Sequence, residues 1–277
     1  MKRILVYLIV GLVVVGMIWW DINKGFEIFM KDDYKMAVIS PEGLGLISVS
    51  NNRGMINFLT IGPEVMIWIP RGYGWYRADR IYGLLKQEGR MELAAEIFFF
   101  NFGNVCTKII WGDSLLAWEE WSNLVNNLGV LSSIYLKWKM SEMFFNEEVI
   151  NGQLADNIEL DEILSREFSQ DRLIEEEIKV SVFNASGSNL LAAFVAEKLN
   201  WLGVNVLTVG DAGTEQDECV FKYGGDVEKT RTFAMIKEVF NDCQFDFADN
   251  IVAGEMELVL GRKWSQMINY DSYVRSF

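Results

Sequence analysis

VSVFNASGSNLLAAFVAEKLNWLGVNVLTV, residues 180–209, decides the fold of the C-terminal half. It reads as strand, polar loop, amphipathic helix, strand. Leu191, Phe194, Val195, Leu199 and Leu202 recur on one side at helical spacing. A strand-loop-helix junction presents free backbone N–H groups and the positive end of a helix dipole, so it is where α/β proteins hold phosphate. A nucleotide P-loop needs GxxxxGK[ST] and a dinucleotide loop needs GxGxxG. The loop over residues 184–189 has one glycine and no lysine. Two readings follow. Asn184, Ser186, Gly187 and Ser188 form a ligand loop, or the stretch is a bend, with Gly187 turning the chain and Ser186, Ser188 or Asn189 capping the helix. Neither reading contains a catalytic signature.

Downstream, ECVFKYG (218–224) reads as a third strand and EKTRTFAMIKEVF (228–240) as a helix with Phe233, Ile236, Val239 and Phe240 inward. EMELVLG (255–261) reads as a last strand. The order β-α-β-β-α-β predicts a ferredoxin-like sandwich over residues 178–264, with two helices on one face of a four-stranded sheet. Residues 265–277 are left as a tail.

Upstream, residues 142–177 hold twelve acids against Arg166 and Arg172. Ile158, Leu160, Ile163, Leu164, Phe168 and Leu173 recur between the acids, so one reading makes part of it helical or packed; the expectation for the segment, counted from 141 to 177, is a solvated acidic linker separating two domains. Its acids lack EF-hand spacing, and no metal site is expected. Before it, KMAVIS (35–40), LGLISVS (44–50), MINFLTI (55–61) and VMIWIP (65–70) are short apolar runs separated by turn residues, which predicts an antiparallel meander. From Ala78 the spacing turns helical: Ile81, Leu84 and Leu85, then Leu93, Ile97 and Phe100. A strand over 105–111 and a helix over 114–129 complete a mixed α/β module, residues 34–140.

The chain of 277 residues carries a formal net charge of −14, which argues against nucleic acid as a partner. It has no histidine, so Ser-His-Asp and Cys-His mechanisms are excluded. Cys106, Cys219 and Cys243 have no CxxC spacing, and their odd number leaves at least one thiol outside any intrachain pair. Buried or incidental thiols are the expectation. At the N-terminus, Met1-Lys2-Arg3 precedes an uncharged run over residues 4–20 ending in Trp19-Trp20. At about 1.5 Å per residue that run spans roughly 25 Å, near the lower limit for a bilayer. Residues 1–20 are thus expected to anchor the chain, with the N-terminus cytoplasmic and everything after it extracytoplasmic. A cleaved signal peptide is the alternative, although no Ala-x-Ala site follows the run.

The VFNASG opening, the AAFVAEKLNWLGVNV passage and the closing ADN…ELVLGRKW together resemble the LytR C-terminal domain, which follows LytR-CpsA-Psr modules in bacterial cell-envelope proteins. Where that family has its first loop glycine, this chain has Ala185; Gly187 is kept. The stretch VMIWIPRGYGWYRADRIYGLL (65–85) is similar to a strand, Ile-Pro-Arg-Asp and helix passage of LytR-CpsA-Psr modules. Ile69, Pro70 and Arg71 match; Gly72 stands where the family has Asp. The family's upstream Asp and Arg have no counterpart in MAVISPEGLGL. The resemblance implies a site for polyprenyl pyrophosphate lipid and Mg²⁺, from which family members transfer glycopolymer to peptidoglycan.

Arg71, Arg77 and Arg80 are the candidate pyrophosphate or anion-binding residues, because guanidinium forks match phosphate oxygens. The intervening GYGWY is suited to packing on an apolar lipid tail. The competing reading is a glycine-rich turn whose arginines pair with the chain's own acids. With the motif eroded, the expected role is non-catalytic binding of lipid-linked glycan, wall polymer or another envelope protein, without a cofactor. The alternative is an active, Mg²⁺-assisted phosphotransferase.

Overall fold

The computed structural model describes residues 33–50, 52–112, 142–151 and 158–274. The expected anchor over residues 4–20 and the expected helix over 114–129 lie outside the described residues. Among the described residues, no helix is long and apolar enough to cross a membrane.

Strands β1 (Asp33–Ser40), β2 (Gly43–Ser50) and β3 (Met55–Ile61) form the expected antiparallel meander. Consecutive residues of β1 and β2 are buried, including Met36, Ala37, Val38 and Ile39. Both faces of this sheet are therefore covered, which is why the strands read as continuous apolar runs instead of alternating ones. The fourth run leaves the meander. Strand β4 (Met66–Ile69) pairs only with β5 (Gly74–Arg77), as a separate hairpin.

Two helices follow. Helix α1 (Ala78–Glu88) buries Ala78, Ile81 and Leu85 and stops at Gly89, whose left-handed backbone (φ 65°) lets its N–H return to the Leu85 carbonyl. Helix α2 (Leu93–Phe102) is apolar on almost every side. A helix with that pattern belongs inside a protein, because no face is suited to water. Leu93, Ala94, Ile97, Phe98 and Phe102 fill the core beneath the first sheet. Phe99 and Phe100 enter the core of the second half.

Strand β6 (Lys108–Trp111) joins the first sheet parallel to β1. The segment expected to be a solvated linker does something else. Strand β7 (Phe144–Ile150) pairs in parallel with β3, giving the order β6-β1-β2-β3-β7. Helix α3 (Ile158–Glu167) buries Leu160, Ile163 and Leu164 in the first core, and Phe168 follows them. Helix α4 (Asp171–Glu176) sends Leu173 into the second core. The described parts of 142–177 are thus packed structure and not a solvated spacer. The reason is amphipathicity: the apolar residues between the acids are spaced to reach a core while most of the charge stays at the surface.

The second half has strands β8 (Lys179–Asn184), β9 (Asn205–Asp211), β10 (Val220–Tyr223), β11 (Gln244–Phe247) and β12 (Glu255–Leu260). Helix α5 (Leu191–Leu202) crosses from β8 to β9, and α6 (Arg231–Val239) from β10 to β11. The order is β11-β10-β12-β8-β9. The strands joined by each helix are adjacent and parallel, and β12 enters between them, parallel to β8 and antiparallel to β10.

This is a correction of the ferredoxin-like expectation, in which each helix returns across an intervening strand. The added strand β11 takes the place beside β10 and turns two split units into two ordinary βαβ units. Both helices share one core with Val180, Val182, Phe221 and Leu258 of the sheet. The tail forms α7 (Arg262–Ile268) and α8 (Tyr270–Val274), and buries Trp264, Ile268 and Tyr270 against that core.

The halves are in close contact. Phe99 meets Phe240 edge to face at 5.7 Å, and Phe100 stacks on Phe194 at 6.2 Å. Gly103 ends α2 with φ 57°, where a Cβ would lie 2.6 Å from the Trp201 Cβ and 2.7 Å from the Lys198 carbonyl oxygen. Glycine is required there for both conformation and space.

Candidate functional site

The arginine turn joins β4 to β5 and opens α1. Arg71 has a left-handed backbone (φ 60°). Its Nε donates to both oxygens of Glu96 at 2.9 Å, and its Nη2 donates to Glu96 Oε1 at 2.7 Å and to Asp242 Oδ2 at 3.0 Å. Those bonds link β4–β5, α2 and the end of α6. They also hold the guanidinium above its ordinary pKa, chiefly through the Glu96 hydrogen bond. Arg77 precedes α1 and donates to Asp79 (3.2 and 3.0 Å) and Glu64 (2.9 Å). Arg80 is 3.8 Å from the same Asp79 and mostly exposed. The structure thus gathers Arg77 and Arg80 around Asp79 and sends Arg71 to other carboxylates. The GYGWY aromatics are engaged too: Trp75 stacks on Tyr273 at 5.3 Å and meets Trp68 edge-on at 5.4 Å.

Beside Arg71 lies a depression of about 420 Å³ lined by Arg71, Arg90, Glu92, Glu96, Glu238 and the rings of Phe99 and Phe100, among others. The two basic groups are thus faced by three acids. Among the described residues, no group of three or more His, Cys, Asp or Glu is placed to hold a metal ion.

The loop over residues 184–189 is closed on itself. Asn184 Oδ1 accepts from the Ser186 N–H (3.1 Å) and hydroxyl (2.7 Å), while Asn184 Nδ2 donates to the Ser188 carbonyl (2.8 Å) and Asp211 (3.2 Å). Ser186 Oγ accepts the Ser188 N–H at 3.0 Å, and the Ser188 and Ser265 hydroxyls are 2.8 Å apart. Gly187 makes the bend with φ 80°. The helix cap differs from expectation: Leu190, in a left-handed conformation, precedes α5, and no side chain caps it. The serines are held by local turn bonds and do not reach the helix amides. Beside the loop is a hollow of about 730 Å³, bordered by Asn184, Ser188, Val209, Asp211 and Glu215 among others. Its charged residues are acids, the opposite of what a phosphate needs.

Several relevant groups were not visible in the sequence. Glu96 and Asp242 lie far from Arg71 along the chain. Lys198 sits inside α5 with its Nζ 3.4 Å from the centre of the Trp201 ring. Burial lowers its pKa to about 8, against opposing contributions from Glu197 and Asp161. Cys219 and Cys243 form a disulfide that closes the α6 crossover, where incidental thiols were expected. Cys106 is the free thiol, pushed up to about 12 by burial.

The second half is a two-layer α/β domain of paired βαβ units. Residues 177–264 match the family model described as LytR cell envelope-related transcriptional attenuator, so this part of the chain is a LytR C-terminal domain. No curated protein matches the chain. Among solved structures, the soluble domain of a conserved hypothetical secreted protein from Mycobacterium marinum is 26% identical, over 38% of this chain and 70% of that one, with a TM-score of 0.29.

Proposed function

We propose that this chain is an extracytoplasmic cell-envelope protein, held at the membrane by residues 4–20, that works by binding envelope components and not by transferring them. The observation that carries the non-catalytic reading is the state of the arginine turn. Arg71 and Arg77 already face carboxylates of their own chain at hydrogen-bond distance. A pyrophosphate has to displace Glu96 and Asp242 before it gains Arg71, and most of the gain is then cancelled. The Cys219–Cys243 disulfide supports the compartment, because such bonds persist in oxidising surroundings outside the cytoplasm. The family description supports the envelope setting. The ligands in view are lipid-linked glycan, wall polymer or another envelope protein.

The alternative is an active phosphotransferase. One feature favours it: Arg71 and Arg90 share the depression floored by Phe99 and Phe100, a mixture suited to a phosphate and the start of a lipid tail. The full chain in detergent, titrated with a short-chain polyprenyl pyrophosphate with and without Mg²⁺, separates the readings. We expect weak or no saturable binding, equal in wild type and Arg71→Ala, and no glycan transfer to peptidoglycan. Saturable binding lost in Arg71→Ala, with turnover, would establish the transferase instead.

A further inference from the structure

Strand β9 ends the second sheet, and among the described residues no strand pairs with its outer edge. Its residues are exposed or half-buried along the whole strand, with Leu207 at 53% and Val209 at 47%. A register shift between Val180 and Ser181 of β8 leaves Leu207 without a partner, so the regular part of β9 is Thr208–Asp211. The Ala212 N–H turns inward to the Asn184 carbonyl at 2.8 Å. Strand alternation therefore aims the N–H and C=O groups of Val209 and Asp211 outward, toward solvent. An open edge of this kind is a template for another extended chain.

Two hollows adjoin this edge, and Ala193 and Val209 border both. The first, about 660 Å³, runs between α3 and α5 and is lined by Asp161, Glu162 and Glu197 on a floor that includes Ala193 and Ala196. The second, about 730 Å³, carries Asp211 and Glu215. The charged residues of both are acids; no lysine or arginine lines either one. Glu162 pairs with Arg166 and Glu197 lies 3.4 Å from Lys198. This surface thus combines outward-facing amides of an edge strand, small apolar residues on its floor, and acids of which Asp211 and Glu215 have no ion pair with a lysine or arginine among the described residues.

We propose that the edge of β9 receives an extended, lysine- or arginine-rich segment of a partner protein as an added strand. Backbone bonds to Val209 and Asp211 would supply the pairing. The alanine floor takes apolar side chains, and the acidic rim selects basic ones and rejects acidic ones. A second copy of this strongly acidic chain is disfavoured by the same rim. The proposal extends the binding role beyond the arginine turn and rests on a separate surface.

The test uses the full chain in detergent and a fluorescent peptide alternating lysine and valine, beside one alternating glutamate and valine. Anisotropy should show saturable binding of the lysine peptide only, weakening with added salt. The double variant Asp211→Asn/Glu215→Gln should lower the affinity about tenfold, the scale of two exposed charge pairs. Val209→Pro removes one outward N–H while leaving the inward bonds, and should abolish binding. Equal binding of both peptides, or binding unchanged in both variants, overturns the proposal. So does no saturable binding at all, or self-association of the chain that Val209→Pro abolishes, which would assign the edge to a second copy. Titration of Arg71→Ala with lipid pyrophosphate reads the other surface, so either proposal can fail while the other stands.

Discussion

The two halves of this chain each hold a five-stranded mixed sheet, yet they are built differently. The first is a meander with parallel strands added at both edges; the second is two βαβ units with a strand between them. A βαβ unit is local: thirty residues of sequence specify strand, helix and neighbouring strand. The first sheet is completed from far along the chain, since β7 arrives at β3 some ninety residues later. What unites them is α2, whose residues are shared between both cores.

If α2 fastens both halves, damage to it should not stay in one of them. Phe99 is 1% exposed and lies on the second-half side of the helix. Phe99→Ala is expected to cost about 3–5 kcal/mol, the usual range for emptying a buried aromatic site. Urea unfolding followed by tryptophan fluorescence and by far-UV circular dichroism should show one transition moved to lower denaturant. Two separate transitions, with only one moved, would break the idea of a shared helix.

The disulfide belongs to the second half alone. Cys219 and Cys243 are 24 residues apart and bracket α6. Reduction, or Cys219→Ser with Cys243→Ser, should lower stability by about 2–4 kcal/mol. Hydrogen exchange should rise first in β10, α6 and β11. Uniform loss of protection across both halves would mean that the cross-link supports the seam and not the crossover.

Lys198 lies at the seam, under Trp201, and there the expected change is a gain. Its folded pKa is lowered to about 8 from 10.5, so the buried ammonium is penalised. Below the folded value both states are protonated and the full penalty applies. Between about 8 and 10.5 the unfolded chain binds the proton more readily, so raising the pH relieves the penalty and stability rises. Lys198→Met removes the charge, keeps the volume and should stabilise by about 1–3 kcal/mol at neutral pH. Thermal melts at pH 7 and in the alkaline range should show the rise in wild type and not in the variant. A less stable variant would mean that the contact with the Trp201 ring outweighs the cost of burial.

Periodicity revealed most strands and helices because they are long enough to repeat. The Leu191, Phe194, Val195, Leu199, Leu202 series marks α5 without ambiguity. It failed at Gln244–Phe247, where four residues alternate too briefly to separate a strand from a loop, and so the topology of the second half was misread. The acidic segment misled for another reason. The recurring Leu160, Leu164 and Leu173 signal packing, but the charge count outweighs them, and neither shows which core each enters nor that Glu176 accepts the Arg231 and Thr232 N–H groups at the start of α6. The sequence spacing of Arg71, Arg77 and Arg80 shows three arginines within ten residues, and the structure divides them between Asp79 and the Glu96–Asp242 pair. What faces them was not legible, because Asp242 is separated from Arg71 by 171 positions.

That pairing offers the smallest effect and the finest distinction. Arg71 and Glu96 are each about a quarter exposed, and solvent screens their attraction. Arg71→Ala should therefore cost only about 1 kcal/mol, and Glu96→Gln somewhat less. If the arginine is a structural tie, the double variant should cost little more than either single change, because the second substitution removes a partner already idle. Lipid pyrophosphate should bind equally poorly to all of them. If the turn instead retains an anion site held shut by its own acid, Glu96→Gln frees the guanidinium and affinity for pyrophosphate should rise above wild type, while Arg71→Ala abolishes it. The sign of the Glu96→Gln effect on binding therefore tells an arginine that fastens the two halves from one that awaits a ligand.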